Sequence, residues 1–281
     1  MELSVREITL NLSYPQVMGI LNVTPDSFSD GGRYNQLNQA ISHANVLILG
    51  GATIIDVGGE STRPGAVEVS ENEEISRVLP VVEALAQRFG VCISVDTSKA
   101  GVIRESAQAG AHLINDVRSL QEPGALAAAA ESGLPVCLVH MQGNPATMQQ
   151  APHYNNLISD VKMFFKSHIK RCYDGGIQNK RLVLDPGFGF GKNLVQNYQI
   201  LAQLSEFNCF GLPLMVGMSR KSMIGQLLNA PSDQRVIGSV ACAVLAAMQG
   251  ATIIRVHDVK ETVDAMRIVE AALSAKRKVK M

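Results

Sequence analysis

The sequence carries no net charge and has few charged residues. Its 281 residues include 25 Lys and Arg against 25 Asp and Glu, and charged residues make up 18% of the chain. A chain without an excess of positive charge has no general electrostatic attraction to nucleic acid or to an anionic membrane surface. We therefore expect neither as a partner, and we expect any anionic ligand to be held by local geometry.

The sequence also lacks the patterns typical of secreted, membrane-spanning and zinc-binding proteins. None of the five cysteines stands in a Cys-x-x-Cys pair, and no His-Glu-x-x-His or His-x-His spacing occurs. Such spacings mark zinc sites. The first fifteen residues have no apolar core typical of a signal peptide, and no apolar run approaches the length of a membrane helix. The sequence predicts buried free thiols and a cytoplasmic protein.

One glycine-rich stretch ends in a lysine, which raises the question of a phosphate-binding loop. It is RLVLDPGFGFGK, residues 181–192. A P-loop needs four residues between its outer glycines and a Ser or Thr after the lysine. Here the outer glycines enclose three residues and an asparagine follows Lys192, so the P-loop interpretation is excluded. What remains is Asp185 at the end of an apolar run.

Eight short apolar runs alternate with segments of helical periodicity. The runs are rich in Val and Ile without strict alternation, which is typical of parallel strands buried on both faces. The predicted strands are residues 17–21, 52–57, 91–96, 112–117, 135–140, 181–185, 213–217 and 252–257. Eight strands that are each followed by a helix predict an α/β protein with a TIM (β/α)₈ barrel. No Gly-x-Gly-x-x-Gly opens a helix after the first strand, as a dinucleotide-binding sheet would require. No interior segment has linker composition, so we predict a single domain over residues 1–281.

Polar side chains stand at or near the carboxyl end of nearly every predicted strand. They are Asn22, Asp56, Asp96, Asn115, His140, Asp185, Ser219 to Lys221, Arg255 and His257. In a TIM barrel the strand ends meet at one face, where the catalytic residues of this fold lie. Single residues have structural explanations too: Asp96 could cap the next helix, Asp185 could form an Asx turn, and His140 could be an ordinary rim histidine. Together the set predicts a site.

The predicted site combines hydrogen-bond acceptors with cations. Asp96, Asn115 and Asp185 offer carboxylate and amide oxygens, and a buried carboxylate needs donors. A flat heterocycle with an amino group beside a ring N–H offers two parallel donors, which one carboxylate accepts in a bidentate manner. Lys221 and Arg255 add positive charge, and an arginine can also stack on a ring. The set favours an aminopyrimidinone-type ring over a sugar.

Long loops follow the first two predicted strands. GILNVTPDSFSDGGRY, residues 19–34, carries Phe28, and GGESTRPGA, residues 58–66, carries Arg63. Long glycine-containing loops on the catalytic face of a barrel are typical of mobile covers. Arg63 could bind a phosphate together with Arg255 and His257, and the helix that starts near Ser219 offers backbone N–H groups to an anion.

Seven stretches of the sequence carry a resemblance to a known family. They are GILNVTPDSFSDGG, DVGGESTRPGA, SVDTSKA, IND, LDPGFGFGK, GMSRKS and IRVHDV, in this order along nearly the whole chain. Together they resemble the dihydropteroate synthases of bacterial folate biosynthesis, in the short single-domain form. The resemblance implies condensation of 6-hydroxymethyl-7,8-dihydropterin pyrophosphate with p-aminobenzoate, which gives 7,8-dihydropteroate and pyrophosphate. It also implies Mg²⁺ as cofactor, sulfonamides as inhibitors and a homodimer.

The same resemblance implies roles for individual residues. The pterin and its pyrophosphate would be bound by Thr62, Arg63, Asp96, Asn115, Asp185, Lys221, Arg255 and His257. The p-aminobenzoate and sulfonamide pocket would consist of Phe28, Pro64, Phe190, Lys221 and Ser222. Within these sets, Asp185 would accept the ring N–H and amino pair, Arg255 would stack on the ring, and Asn22 would ligate Mg²⁺.

An aryl amine is a weak nucleophile, so we expect early departure of pyrophosphate. Its charge would be neutralised by Mg²⁺, Arg63, Arg255 and His257, while the electron-rich pterin ring delocalises the positive charge on its methylene group. Asp30 is our candidate to stabilise that cation or to organise the metal. The candidate catalytic residues are Lys221, Asp185, Arg255 and Asp30.

Two alternative functions remain open on the residues alone. A methyltetrahydrofolate–corrinoid methyltransferase would share the carboxylate and amide acceptors, but it has no use for pyrophosphate contacts or for the TPDSFSDGG loop. A non-catalytic pterin-binding barrel would be expected to have lost Arg63, Lys221 or Arg255, and all three are present.

Overall fold

Eight parallel strands form a barrel in the computed structural model, which describes residues 1–24, 33–61, 68–143, 148 and 152–279. The hairpin β1 (Glu2–Val5) and β2 (Ile8–Asn11) precedes it. The barrel strands are β3 (Gln16–Asn22), β4 (Ile54–Gly58), β5 (Cys92–Asp96), β6 (Leu113–Asp116), β7 (Val136–Val139), β8 (Leu182–Asp185), β9 (Met215–Val216) and β10 (Ile253–Val256). Every predicted strand overlaps one of them, so the predicted TIM barrel is confirmed.

The order of the strands closes the barrel. Strands β3 to β8 pair in chain order, and β10 pairs with both β3 and β9. A parallel bridge between Leu184 and Leu214 joins β8 to the residue before β9. The described helices are α1 (Arg33–Leu49), α2 (Glu71–Arg88), α3 (Ala100–Gln108), α4 (Ala125–Ser132), α5 (Leu157–Asp174), α6 (Leu194–Ala202), α7 (Ser222–Leu228), α8 (Val236–Met248) and α9 (Val259–Val279). None of the described helices is long and apolar enough to cross a bilayer.

Strand alternation divides the core into two apolar clusters. Outward side chains such as Ile55 and Leu184 pack in one cluster with helix residues such as Val78 of α2. The inward side chains form a separate cluster inside the barrel: Met18, Ile54, Cys92, Leu113, Cys137, Val183, Met215 and Ile253. Because successive side chains of a strand point to opposite faces, both faces must be apolar, and this explains the continuous apolar runs in the sequence.

The amino-terminal hairpin covers one end of the barrel. Leu3 and Leu10 pack in the same cluster as the inward side chains. The turn of the hairpin lies at the start of β6, since Glu7 Oε1 is 3.6 Å from His112 Nε2. The hairpin therefore lies at the amino-terminal end of the barrel and leaves the carboxyl ends of the strands open.

Local sequence signals start and stop the helices. Ser70 caps α2 by accepting a hydrogen bond from the backbone N–H of Glu73, and Asn193 forms a capping box with Gln196 at the start of α6. Side-chain oxygens at these positions satisfy backbone donors that have no partner within the helix. The asparagine that excluded a P-loop is therefore a helix cap.

Candidate functional site

The inward-facing residues change from apolar to polar towards the carboxyl ends of the strands. Two positions after the apolar residues Ile54, Leu113, Val183 and Ile253 stand Asp56, Asn115, Asp185 and Arg255. Residues two apart on a strand face the same side, so these four side chains also point into the barrel. We call them the polar layer.

Arg255 connects the polar layer to the end of β5. Its Nε donates to Asp56 Oδ2 at 2.6 Å, and its Nη2 donates to Asp96 Oδ2 at 2.8 Å. Asn115 Nδ2 donates to the same Asp56 oxygen at 3.1 Å. Residues that are far apart in the sequence thus share one hydrogen-bonded network. Asp96 is not a helix cap, because the N-cap of α3 is Lys99.

The network lies in a buried environment, and this shifts its titrations. Burial raises the pKa of Asp96 to about 7, although the attraction of Arg255 opposes the shift. Burial also opposes the charged form of Arg255, but Asp56 and Asp96 outweigh it and raise the pKa of the guanidinium. The arginine therefore stays positively charged, whereas burial favours the protonated form of Asp96.

Asp185 combines a structural with a potential binding role. Its Oδ1 accepts a hydrogen bond from the backbone N–H of Gly187 at 2.7 Å, which is the Asx turn that the sequence allowed. This turn uses one of the two carboxylate oxygens. Burial raises the pKa of Asp185, while Lys221 and the Gly187 N–H oppose the shift. The turn fixes the orientation of the carboxylate in the polar layer and leaves Oδ2 available to accept hydrogen bonds from a ligand.

Lys221 follows β9 and contacts the segment that leaves the neighbouring strand β8. Its Nζ donates to the carbonyl oxygen of Phe188 at 2.5 Å and lies 4.4 Å from the centroid of the Phe190 ring. Burial lowers the pKa of Lys221 to about 8, although the attraction of Asp185 opposes the shift. Ser222 begins α7 directly afterwards. These side chains bring together the described part of the predicted p-aminobenzoate pocket.

A cavity of about 1060 Å³ opens at the carboxyl ends of the strands. Its lining includes the predicted site residues Asn22, Asp96, Phe190, Lys221, Ser222, Arg255 and His257. Asn115 and Asp185 are 4% and 5% exposed and belong to the same layer as Arg255. Asn115 Oδ1 accepts no hydrogen bond from any described residue. A buried acceptor in this state needs a donor, and a ligand can supply it.

Some candidate residues from the sequence lie outside the residues that the structure describes, and one lies apart from the site. Phe28, Asp30, Thr62, Arg63 and Pro64 lie outside the described residues. His140 is buried at the end of β7, where its ring packs edge-on against Phe164 with centroids 4.8 Å apart. This agrees with the structural explanation of that histidine.

Two buried residues have contacts that the sequence patterns do not predict. Asp56 ends an apolar run like other strand-end carboxylates, yet it is fully buried and accepts hydrogen bonds from both Arg255 and Asn115. Its position two residues after Ile54, on the inward face, is the signal that predicts its place in the polar layer. Lys192 follows the glycine-rich stretch, where a P-loop lysine would be exposed to a phosphate, yet it is 2% exposed.

The described residues contain no group of three or more His, Cys, Asp or Glu side chains that could hold a metal ion. Asn22 ends β3 and lines the cavity. Mg²⁺ is often bound by one or two protein ligands together with water and substrate phosphates. A single amide oxygen thus fits a metal that arrives with a phosphorylated substrate, and does not fit a cage made by the protein alone.

Comparison with known proteins agrees with this geometry. The sequence pattern of the family described as "Pterin binding enzyme" matches residues 18–257. The chain is 68% identical over 276 residues to dihydropteroate synthase of Escherichia coli K12, and the match covers 98% of each chain. It is 71% identical to the Yersinia pestis dihydropteroate synthase solved with a sulfonamide drug, with a TM-score of 0.94 over 98% of this chain and 100% of that one.

A more distant structure preserves the same fold. The Xanthomonas albilineans dihydropteroate synthase in complex with 7,8-dihydropteroate is 43% identical, with a TM-score of 0.89 over 97% of this chain and 99% of that one. High identity over nearly the whole chain, the barrel and the cavity at its open end all agree with the sequence resemblance. The chain therefore belongs to the dihydropteroate synthase family, which comprises transferases of folate biosynthesis.

Proposed function

We propose that the chain condenses 6-hydroxymethyl-7,8-dihydropterin pyrophosphate with p-aminobenzoate, and that the cavity above the polar layer is the active site. The carbon–oxygen bond to pyrophosphate breaks, a carbon–nitrogen bond to the amine forms, and the amine loses a proton. The observation that carries the proposal is the buried acceptor set of the polar layer, Asp185 and Asn115 Oδ1, in the same layer as Arg255, which lines this cavity.

The pterin ring is bound through its hydrogen-donating edge. Asp185 accepts the ring N–H and amino pair, and Asn115 Oδ1 and Asp96 accept from neighbouring positions. Lys221 donates to the opposite edge, and the Arg255 guanidinium, which lines the cavity, stacks on the ring. The pairing of Arg255 with Asp56 and Asp96 holds its plane in place before substrate arrives.

The pyrophosphate is bound at the strand ends nearest to β10. Arg255 and His257 line the cavity there, and Ser219 Oγ lies 3.1 Å from His257 Nδ1, which fixes the imidazole. Thr62 and Arg63 of the second loop complete the contacts. Asn22 would hold Mg²⁺ together with phosphate oxygens, and the metal would supply neutralising charge for the leaving group. Preorganised cations of this kind stabilise the charge that develops as the bond breaks.

The amine substrate is bound beside Phe190. Phe28 and Pro64 are the further members of this pocket, and the carboxylate lies at the start of α7 by Ser222, where backbone N–H groups favour an anion. Lys221 borders both substrate positions, since it contacts Phe190 and lies near Asp185. A sulfonamide would occupy the same pocket and compete with p-aminobenzoate, as the Yersinia pestis complex with a sulfonamide drug suggests.

Asp30 on the first loop stabilises the cationic pterin methylene or organises the metal. The Asp30→Ala variant should therefore still bind pterin pyrophosphate while its turnover collapses. Rapid-mixing experiments under single-turnover conditions would measure this. Unaltered single-turnover kinetics would remove Asp30 from the mechanism.

A second copy of this chain is the protein partner that we propose. On α8, Ile237, Leu245 and Met248 are 84%, 54% and 48% exposed, and the helix contains no charged residue. Their spacing of eight and three residues places them on one helix face. An exposed apolar face of this kind favours a subunit interface. Sedimentation velocity should show a dimer for the wild type and a monomer for Leu245→Glu.

The proposed location is the cytoplasm, where thiols stay reduced. All five cysteines are free, and Cys92, Cys137, Cys172 and Cys242 are buried. Free buried thiols are usual in a reducing compartment.

The reaction is tested by mixing the protein with pterin pyrophosphate, p-aminobenzoate and Mg²⁺ and measuring released pyrophosphate. We expect release only when both substrates are present, together with 7,8-dihydropteroate in equal amount. Binding of pterin without pyrophosphate release would favour a non-catalytic barrel. Methyl transfer from methyltetrahydrofolate to a corrinoid would favour the methyltransferase alternative.

A further inference from the structure

Lys192 is a buried lysine to which the proposed mechanism gives no role. Its side chain is 2% exposed, and its Nζ lies 2.9 Å from His140 Nδ1. It also lies 2.8 Å from the carbonyl oxygen of Gly187, 3.0 Å from that of Phe190 and 3.3 Å from that of His140. An ammonium group has three protons, so four nearby acceptors leave it fully satisfied.

The acceptors belong to one short segment and to the strand end beside it. We call residues 185–192 the glycine loop; it leaves β8 and returns to the start of α6. Because Nζ contacts the carbonyl groups of both Gly187 and Phe190, the loop is wrapped around the ammonium group. The third and fourth acceptors are on His140 at the end of β7, so Lys192 also fixes the loop to the neighbouring strand.

The backbone of the glycine loop requires glycine at positions 187 and 191. Gly187 and Gly191 have φ of 72° and 63°, in the left-handed region that favours glycine. A Cβ at Gly187 would lie 1.9 Å from the carbonyl oxygen of His140, and one at Gly191 would lie 2.6 Å from that of Gln142. The loop therefore packs directly against the residues after β7. Lys192 Nζ lies within hydrogen-bond distance of both sides of this contact, at His140 and at the Gly187 carbonyl.

The glycine loop carries three contacts of the candidate site. Asp185 is its first residue, Phe190 lines the cavity, and the Phe188 carbonyl accepts the hydrogen bond from Lys221. Asn197 of α6 supports the same loop from the other side, since its Oδ1 accepts from the Gly189 N–H at 2.7 Å. The position of this loop sets the distance between the pterin acceptor and the amine pocket.

Electrostatics link Lys192 to Asp185 as well. Burial lowers the pKa of Lys192 well below its ordinary value, and Asp185 opposes that shift. In return, Lys192 is one of the cations that oppose the rise in the pKa of Asp185. A methionine at position 192 would leave the carbonyl groups of Gly187 and Phe190 without this donor and would remove the interaction with Asp185.

We propose that Lys192 is a positioning residue for the pterin substrate: it holds the glycine loop so that Asp185 presents its carboxylate to the ring. This inference rests on the proposed function. Lys192 does not touch substrate in this account, and its effect on the reaction passes through Asp185. A lysine that only stabilised the fold would change the unfolding temperature without any special relation to Asp185.

The test compares Lys192→Met and Lys192→Gln with Lys170→Met, a control on the exposed face of α5 whose side chain is 74% exposed. We expect kcat/KM for pterin pyrophosphate to fall by about tenfold or more in Lys192→Met, as for loss of a charged hydrogen bond. Lys192→Gln keeps an amide donor for the carbonyl groups and should recover part of the loss. The control should match the wild type, and normal kcat/KM in Lys192→Met would overturn the proposal.

A double-mutant cycle with Asp185→Asn separates positioning from simple stabilisation. If Lys192 acts through Asp185, then Lys192→Met should cost less than about threefold in the Asp185→Asn background, because coupled residues are not additive. Equal losses in both backgrounds would refute the role. If neither Lys192 variant folds, Asn197→Ala loosens the same loop from α6 and enters the same cycle, with the same expected non-additivity. A wild type that releases no pyrophosphate would instead overturn the proposed function.

Discussion

The two ends of the barrel interior are built on the same strands and differ in chemistry. At the amino-terminal end the inward side chains are apolar, as in Met18, Ile54 and Leu113, and the hairpin covers them. Two residues further along the strands, the same inward face carries Asp56, Asn115, Asp185 and Arg255. Because residues two apart on a strand face the same side, both layers point into the barrel, and they differ in the type of side chain that each contains.

The comparison shows how stability and function are divided in this molecule. The apolar inward side chains at the amino-terminal end, which we call the apolar layer, stabilise the fold because they are removed from water. Charged groups buried in the polar layer lose hydration, and their ion pairs offset that loss only in part. The pKa of Asp96, raised to about 7, and that of Lys221, lowered to about 8, are direct consequences of burial. We therefore expect changes in the two layers to affect different observables.

The largest effect on stability should come from the apolar layer. Leu113 is fully buried, so Leu113→Ala should lower the free energy of unfolding by about 2–5 kcal/mol, because a cavity remains. Chemical denaturation monitored by circular dichroism would measure this. At a temperature where the variant is folded, kcat/KM should stay close to that of the wild type. A large loss of kcat/KM with unchanged stability would contradict the division.

The largest effect on activity should come from Asp185 and Lys221. Asp185→Asn and Lys221→Ala should each lower kcat/KM by about a hundredfold, or roughly 3 kcal/mol, because each removes one preorganised charged contact. The thermal unfolding midpoint should change little in both variants. Near-normal kcat/KM in either one would remove that residue from the proposed site.

A smaller effect is expected for Asp56, the member of the polar layer that pairs with Arg255. Asp56→Asn keeps the shape of the side chain but weakens the 2.6 Å ion pair with Arg255, which retains Asp96 as a partner. We expect a loss of about tenfold in kcat/KM, as for one charge-assisted hydrogen bond. Steady-state kinetics with pterin pyrophosphate would measure it. An unchanged kcat/KM would show that Arg255 needs only Asp96.

The smallest expected effect is the dependence of kcat/KM on pH near neutrality. Only the deprotonated form of Asp96 carries the charge that pairs with Arg255 and can accept through both oxygens, so kcat/KM should rise as pH increases through about 7. Lys221 carries its positive charge only when it is protonated, so kcat/KM should fall as pH increases through about 8. In Lys221→Arg the alkaline fall should move to higher pH, since arginine stays protonated. A flat profile across both values would contradict these assignments.

The sequence predicted the fold and most of the described site because both depend on local signals. Apolar runs identified all eight barrel strands, and the strand-end rule identified Asp96, Asn115 and Asp185. The hairpin was missed because its strands have four residues each, and their alternating burial is a weak pattern. The roles of Asp56 and Lys192 depend on partners that are distant in the sequence or on backbone carbonyl groups, which residue patterns do not reveal.

The most direct test of the central claim is a crystal structure with the pterin substrate bound. The amino group and the ring N–H of the pterin should donate to Asp185, and Asn115 Oδ1 should accept a hydrogen bond from the ring. Arg255 should remain beside Asp56 with its plane against the pterin. A pterin bound elsewhere in the cavity, with Asp185 and Asn115 making no contact to it, would contradict the account.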